Sequence, residues 1–224
     1  MSRRLPLFPL GMVLFPGLVL PLHVFEERYR VLVRELLALP EEERVFGVVA
    51  IRLGREVGED GVTALHEVGC TARVRQAEEH EDGRFDIVTT GTTRFALREL
   101  AEAEAPYLVG VVDLLDDELG DPQEGALLES AVRAAYVDYL TALSEAGAGE
   151  LEAPELPDDA LVLSHLVAAT VVLDLEDRQA LLAEPDGVAR LTTELAVLRR
   201  EARLLRALGT APAPELARTA AHPN

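Results

Sequence analysis

The sequence predicts an α+β protein, with a β-rich N-terminal part followed by an α-helical bundle. Three observations carry that prediction. Short apolar runs rich in Val, Thr and Phe recur between turn residues as far as "YLVGVVDLL", which ends at Leu115. Amphipathic stripes at helical spacing occupy most of the chain from Glu124 to Leu208. The change of character falls at about Gly120, so residues 1–120 form a β-rich subdomain, 121–209 an α-helical bundle and 210–224 a flexible tail.

The opening stretch "LPLFPLGMVLFPGLVLPLHVFEERYRVL" resembles a signal peptide only at first glance. Pro6, Pro9, Pro16 and Pro21 interrupt it, and each fixes φ and removes a hydrogen-bond donor, so no continuous helix forms. It lacks an Ala-x-Ala cleavage site. Two short strands with turns near Gly11 and Pro16–Gly17 are expected instead.

Residues 26–39 then predict a helix, with Tyr29, Leu32, Val33, Leu36 and Leu37 on one face and Arg28, Arg34 and Glu35 away from it. Pro40 ends it. Strands follow at "VFGVVAIRL", "CTARVRQA", "RFDIVTTG", "TRFALREL" and "YLVGVVDLL". "EEHEDGR", residues 78–84, is a hairpin loop in which Asp82–Gly83 tolerates positive φ. Strands this short and this closely spaced suggest a barrel or a sandwich rather than βαβ units.

Beyond Gly120, "EGALLESAVRAAYVDYLTALSEAG" places Leu128, Val132, Ala135, Tyr139 and Leu143 on one stripe. "GAGELEAPELPDD" is expected to be a flexible acidic connection. Asp158 or Asp159 caps a second helix, "ALVLSHLVAATVVL", whose apolarity all round predicts burial. A short helix at "LEDRQALLAE" precedes the last, which starts after Asp186 and stops at Gly209. Its stripe of Val188, Leu191, Leu195, Leu198, Ala202, Leu205 and Leu208 suits packing within the bundle or a coiled-coil seam between two copies. Monomer and homodimer both remain open.

Composition narrows the function. The 224 residues are 49% apolar and 27% charged, with a formal charge of −19. Residues 1–120 carry 13 basic and 22 acidic groups, and the remainder carry 8 and 18, so both parts are acidic. A phosphate backbone is repelled, which argues against nucleic acid. No run of apolar residues outside the opening stretch is long enough to span a bilayer, so no membrane partner is expected. All 21 basic residues are arginine, which excludes a P-loop lysine, a Schiff-base lysine and a Ser-Lys dyad. Cys70 is the only cysteine; it forms no intramolecular disulfide, fits a cytoplasmic setting and is expected to be a buried inert thiol.

The order of elements and the residues within them resemble the N-terminal, substrate-binding domain of Lon proteases. The opening shares the family's Leu-Pro-Leu, its Phe15–Pro16–Gly17 and its Pro21–Leu22 leading into a helix. "EVGCTARVRQ" is similar to a Val-Gly-Thr-x-Ala strand, and "VTTGTTRFAL", with Gly91, Arg94 and Phe95, to a Gly-x-x-Arg-Φ strand. "APYLVGVVDLLDDE" and "LEDRQALLAEPDGVARL" complete the pattern, although Arg178 stands where the family has lysine. The resemblance spans roughly residues 5–208. It implies a PUA-like β pseudo-barrel followed by the helical bundle, and a stand-alone form of the domain without ATPase or Ser-Lys peptidase modules. It further implies recognition of unfolded or extended polypeptide segments, with an adaptor or chaperone-like role and a protease as partner. A small-molecule sensor is the alternative, and an enzyme of unrecognised type ranks below it.

No catalytic residue, cofactor or metal is expected. His23, His66, His80, His165 and His222 show no i, i+4 zinc spacing, and structural roles are expected for His23 and His165. Ser164–His165 are helix neighbours that point about 100° apart, without a nucleophile elbow. The acidic runs at 41–43 and 116–118 are expected to be solvated. The candidate peptide-binding residues are Phe8, Phe15, Phe25 and Tyr29, which are aromatic anchors beside a proline-edged strand. Any one of these rings is more simply explained as barrel core, but one or two facing outward would suffice for a groove.

Overall fold

Pro6 and Pro9 do not keep the first stretch out of a sheet. In a computed structural model, which describes residues 2–54, 62–149 and 155–209, strand β1 spans Arg3–Leu10 and changes partner midway. Arg3–Pro6 pair antiparallel with β7 (Val109–Leu114), whereas Leu7–Leu10 pair parallel with β3 (Val45–Gly54). β3 pairs with β5 (Val68–Glu79), β5 with β6 (Phe85–Ala101), and β6 with β7. Five strands therefore close on themselves, which removes most free sheet edges. This is the expected pseudo-barrel, and the fold as a whole is α+β.

Two strands lie outside the closed ring. β2 (Val19–Val24) pairs antiparallel with the first half of β6, and β4 (Val62–Leu65), which the sequence did not suggest, extends β3. The runs at 84–91 and 93–100 prove to be one strand, β6. Its register slips opposite Thr71, where Ala72 faces Gly91 and Cys70 faces Arg94. The Thr71 hydroxyl accepts from the Thr93 amide at 2.9 Å and donates to its carbonyl at 3.0 Å. A bulge satisfied in this way bends the strand without ending it.

Helix α1 (Glu27–Leu37) turns Tyr29, Leu32, Val33 and Leu36 onto a core cluster with Phe8, Leu20 and Phe46. Leu5, Leu7, Val49, Phe95 and Val112 form a second cluster of the same unit. Cys70 is fully buried, as expected.

The described residues divide into two compact units, the second beginning at Asp117. In that unit, α2 (Pro122–Leu143) starts with Asp121 accepting from the Gln123 and Glu124 amides, and α3 (Ala160–Thr170) with Asp159 accepting from Leu161 and Val162. α4 (Leu175–Ala183) and α5 (Gly187–Leu208) are capped by Asp174 and Asp186. Val132, Tyr139, Leu163, Val167, Leu191 and Leu198 meet in this unit's own core. α3 ends at Thr170, short of the predicted Leu173, and buries Ala160, Leu163, Ser164, His165, Val167 and Ala168 as its apolarity predicts, while Val162 is 52% exposed. One expectation needs correction. Leu208, the last residue of the α5 stripe, is 70% exposed because the helix is ending there. Part of the acidic connection lies outside the described residues.

Candidate functional site

Alternation along β2 sets up the surface of interest. Leu20, Leu22 and Val24 point into the core, so Val19, Pro21 and His23 point out. Across the register they face Thr90, Val88 and Asp86 of β6. Val19 is 57% exposed, and Val19, Pro21 and Val88 make a small apolar ledge. β2 pairs with β6 alone among the described strands, which leaves its other edge without a strand partner. Pro21 has no amide to offer and limits indiscriminate pairing there.

A close backbone crossing holds the entry to this strand. Gly17 donates to the Gly91 carbonyl at 2.9 Å, and Gly91 donates to the Leu18 carbonyl at 2.8 Å. A Cβ at Gly91 would lie 2.2 Å from the Phe15 carbonyl oxygen, so only glycine permits the approach.

A polar cluster sits at the other end of β2. His23 Nδ1 is 2.6 Å from Asp86 Oδ1, and His80 Nε2 is 2.7 Å from Asp86 Oδ2. Arg84 Nη1 donates to His23 Nε2 at 3.2 Å, while its Nε donates to Asp82 at 2.7 Å. Hydrogen bonds from His23, then His80, hold the exposed Asp86 carboxyl below its ordinary range. The loop that carries His80 and Arg84 is the predicted hairpin turn, with Gly83 at φ +78°. Arg30 of α1 donates from Nε to the Gly83 carbonyl at 2.7 Å and fastens the loop to the helix.

The aromatic candidates fall mostly elsewhere. Phe8, Phe15 and Tyr29 are buried, and Phe8 stacks on Tyr29 with centroids 4.0 Å apart. Phe8 lies in the half of β1 that is buried on both faces, Phe15 follows that strand and Tyr29 faces the core from α1, so these three rings pack inward, the simpler of the two readings above. Phe25 alone is half-exposed, beside the His23 ring. Sequence reasoning missed His80, Asp86 and Arg84. The hairpin register, which sets Glu78 against Asp86, was the available signal.

The helical unit contains Ser164, His165 and Asp117, but not as a catalytic triad. His165 bonds Asp117, as a core histidine would. Ser164 Oγ donates to the Leu161 carbonyl at 2.8 Å and accepts from Arg190 Nη1 at 2.9 Å. Its proton is therefore directed away from His165. Asp117 is half-buried, unlike the solvated face expected for 116–118, while Glu41–Glu43 are exposed. Glu41 and Glu42 line an open polar hollow of about 250 Å³ with Arg73, Val74 and Arg75.

A family model described as the ATP-dependent protease La (LON) substrate-binding domain matches residues 4–200. The chain belongs to the Lon substrate-binding domain family. Among its relatives, Lon protease 2 of Myxococcus xanthus is 30% identical over 204 residues, which are 90% of this chain and 24% of that protein. The Lon protease of Anaeromyxobacter dehalogenans is 29% identical over the same shares. The chain thus spans about a quarter of the length of these relatives, the part that holds the Lon substrate-binding domain. The crystal structure of a Lon N-terminal domain protein from Xanthomonas campestris superposes with a TM-score of 0.61 at 28% identity, covering 87% of this chain and 98% of the other. The N-terminal domain of a Mycobacterium avium complex Lon protease gives 0.60 at 17% identity, covering 90% and 98%, and supports the fold alone. Against the Lon pattern, Gly91 is explained by the crossing with Phe15, and Thr71 by the bulge it satisfies. No helix among the described residues is long and apolar enough to cross a membrane.

Proposed function

We propose that this Lon substrate-binding domain recognises extended apolar polypeptide segments by adding them to the outer edge of β2, and has no catalytic activity of its own. The observation that carries this reading is the edge of β2 that has no strand partner among the described residues, beside the exposed Val19 and Pro21 and the half-buried Val88. Main-chain hydrogen bonds along a strand edge give affinity that tolerates sequence, and the ledge supplies a preference for apolar side chains. A role as adaptor or chaperone-like factor for a protease, in the cytoplasm, follows from this reading. Ser164 is committed to Leu161 and Arg190, which supports a non-catalytic role for the one Ser–His–Asp grouping described above.

The acidity of the chain favours peptides whose apolar core has basic flanks, with an advantage that shrinks as salt rises. Fluorescence anisotropy with a varied library of labelled peptides should give dissociation constants in the micromolar range or weaker, about 8 kcal/mol or less. Burying a valine fully is worth about 1.5–3 kcal/mol, and Val19 is 57% exposed. Val19→Asn should therefore cost roughly 1 kcal/mol, about five-fold in affinity. N-methylation at alternate peptide amides should abolish binding. Absence of binding across the library, or binding indifferent to both perturbations, would refute the β2 edge as the site.

A further inference from the structure

We propose that His23, His80 and Asp86 form a binding site for one late first-row divalent cation of the zinc class. The three residues come from β2, the hairpin loop and the start of β6, and their donor atoms lie within 4.8 Å of one another. Two imidazole nitrogens and a carboxylate are the donor set that zinc and its neighbours favour over calcium or magnesium. The side chains are 35–53% exposed, so a bound ion would keep open positions for water.

The geometry requires little rearrangement. Zinc at about 2.0–2.1 Å from each of its ligands in a tetrahedral shell keeps them about 3.3 Å apart. The present nitrogen–oxygen separations of 2.6 and 2.7 Å must open slightly, through rotation of partly exposed side chains whose backbones are fixed by strand pairing and by Arg30. Metal binding requires each ring to free the nitrogen that now faces Asp86, by moving the ring proton and not by losing it. As now bonded, each histidine donates an N–H to Asp86, and that same nitrogen must present a lone pair to the metal. Each ring then carries its proton on the other nitrogen, as a neutral imidazole.

Arg84 opposes the ion in two ways. Its guanidinium occupies His23 Nε2, where the liganded tautomer carries a proton, and it adds positive charge. Its bond to Asp82, and a side chain 47% exposed, allow it to withdraw. Glu78, opposite Asp86 in the register, adds negative charge. This site is independent of peptide binding at the β2 edge, and its test does not use a peptide.

The test is a titration of the tag-free full chain with zinc, and separately with cobalt(II), by calorimetry and visible absorption. One saturable site is expected, with a cobalt band marking nitrogen and oxygen ligation. His23→Ala and His80→Ala should each weaken zinc binding by about ten-fold or more, Asp86→Asn likewise, and Arg84→Ala should tighten it. Circular dichroism verifies that each variant is folded, and histidine ring NMR signals identify the residues that shift with zinc in the unaltered chain. No saturable binding up to millimolar zinc would overturn the proposal. So would binding that survives His23→Ala and His80→Ala together, or zinc-induced shifts confined to other histidines.

Discussion

Replacing Gly91 by alanine tests the crossing that positions β2. The added Cβ would sit 2.2 Å from the Phe15 carbonyl oxygen, where ordinary contact begins at 3.4 Å, so the backbone must retreat by about 1.2 Å. That movement pulls on both hydrogen bonds of the crossing, Gly17 to Gly91 and Gly91 to Leu18. Losing two such bonds costs about 1–3 kcal/mol, and forcing extra volume into a packed site costs about 1–3 kcal/mol more. The narrower conformational freedom of alanine in the unfolded chain returns about 0.4–1 kcal/mol. A net destabilisation of about 3 kcal/mol is expected, a large share of a typical domain's roughly 5–15 kcal/mol. Urea unfolding followed by circular dichroism measures the loss, and hydrogen exchange at the Gly17 amide locates it. A shift below about 0.5 kcal/mol with Gly17 still protected would show that the crossing yields freely, and would refute the reasoning.

How much of this was legible in the sequence follows from the range of the interactions involved. The prolines, Gly83 and the caps Asp159 and Asp186 act on residues next to them, and the strands, turns and helix starts they mark were found. The break predicted between 91 and 93 was absent because Thr71, on another strand, satisfies the bulge. Tyr136 is buried beside Tyr139, although it lies off the predicted α2 stripe. Burial of Arg190 and Glu194 in α5 was also hidden, since charged residues beside an apolar stripe ordinarily face water. Only the folded chain shows Arg190 reaching Ser164 and the Leu181 carbonyl. The same limit applied at the site. His23 and Asp86 are 63 residues apart in sequence, and only the β2–β6 register makes them neighbours. The aromatic cluster was visible, but its orientation depended on a barrel closing around β1.

Two titrations probe groups that burial perturbs. Tyr107 donates to Glu35, and burial, together with that acceptor, pushes its phenol up to about 12. Absorbance at 295 nm should show late phenol ionisation that Tyr107→Phe reduces by one phenol; if the variant instead loses absorbance in the ordinary phenol range, the bond does not persist in solution. Glu194 is almost wholly buried, and the space it lines with Val167, Val171, Leu181 and Leu198 has no room for water. Burial drives its carboxyl well above the ordinary range, against the pull of nearby Arg190. The folded state therefore keeps a proton that the unfolded chain releases, and stability falls as pH rises above the ordinary carboxyl range. Glu194→Gln preserves the shape and removes the titration. The variant should match the unaltered chain at acidic pH, where both are neutral, and melt at a higher temperature at pH 8. A lower melting temperature for the variant at pH 8 would mean that Glu194 is ionised and paired with Arg190, because only then does removing its charge remove stability.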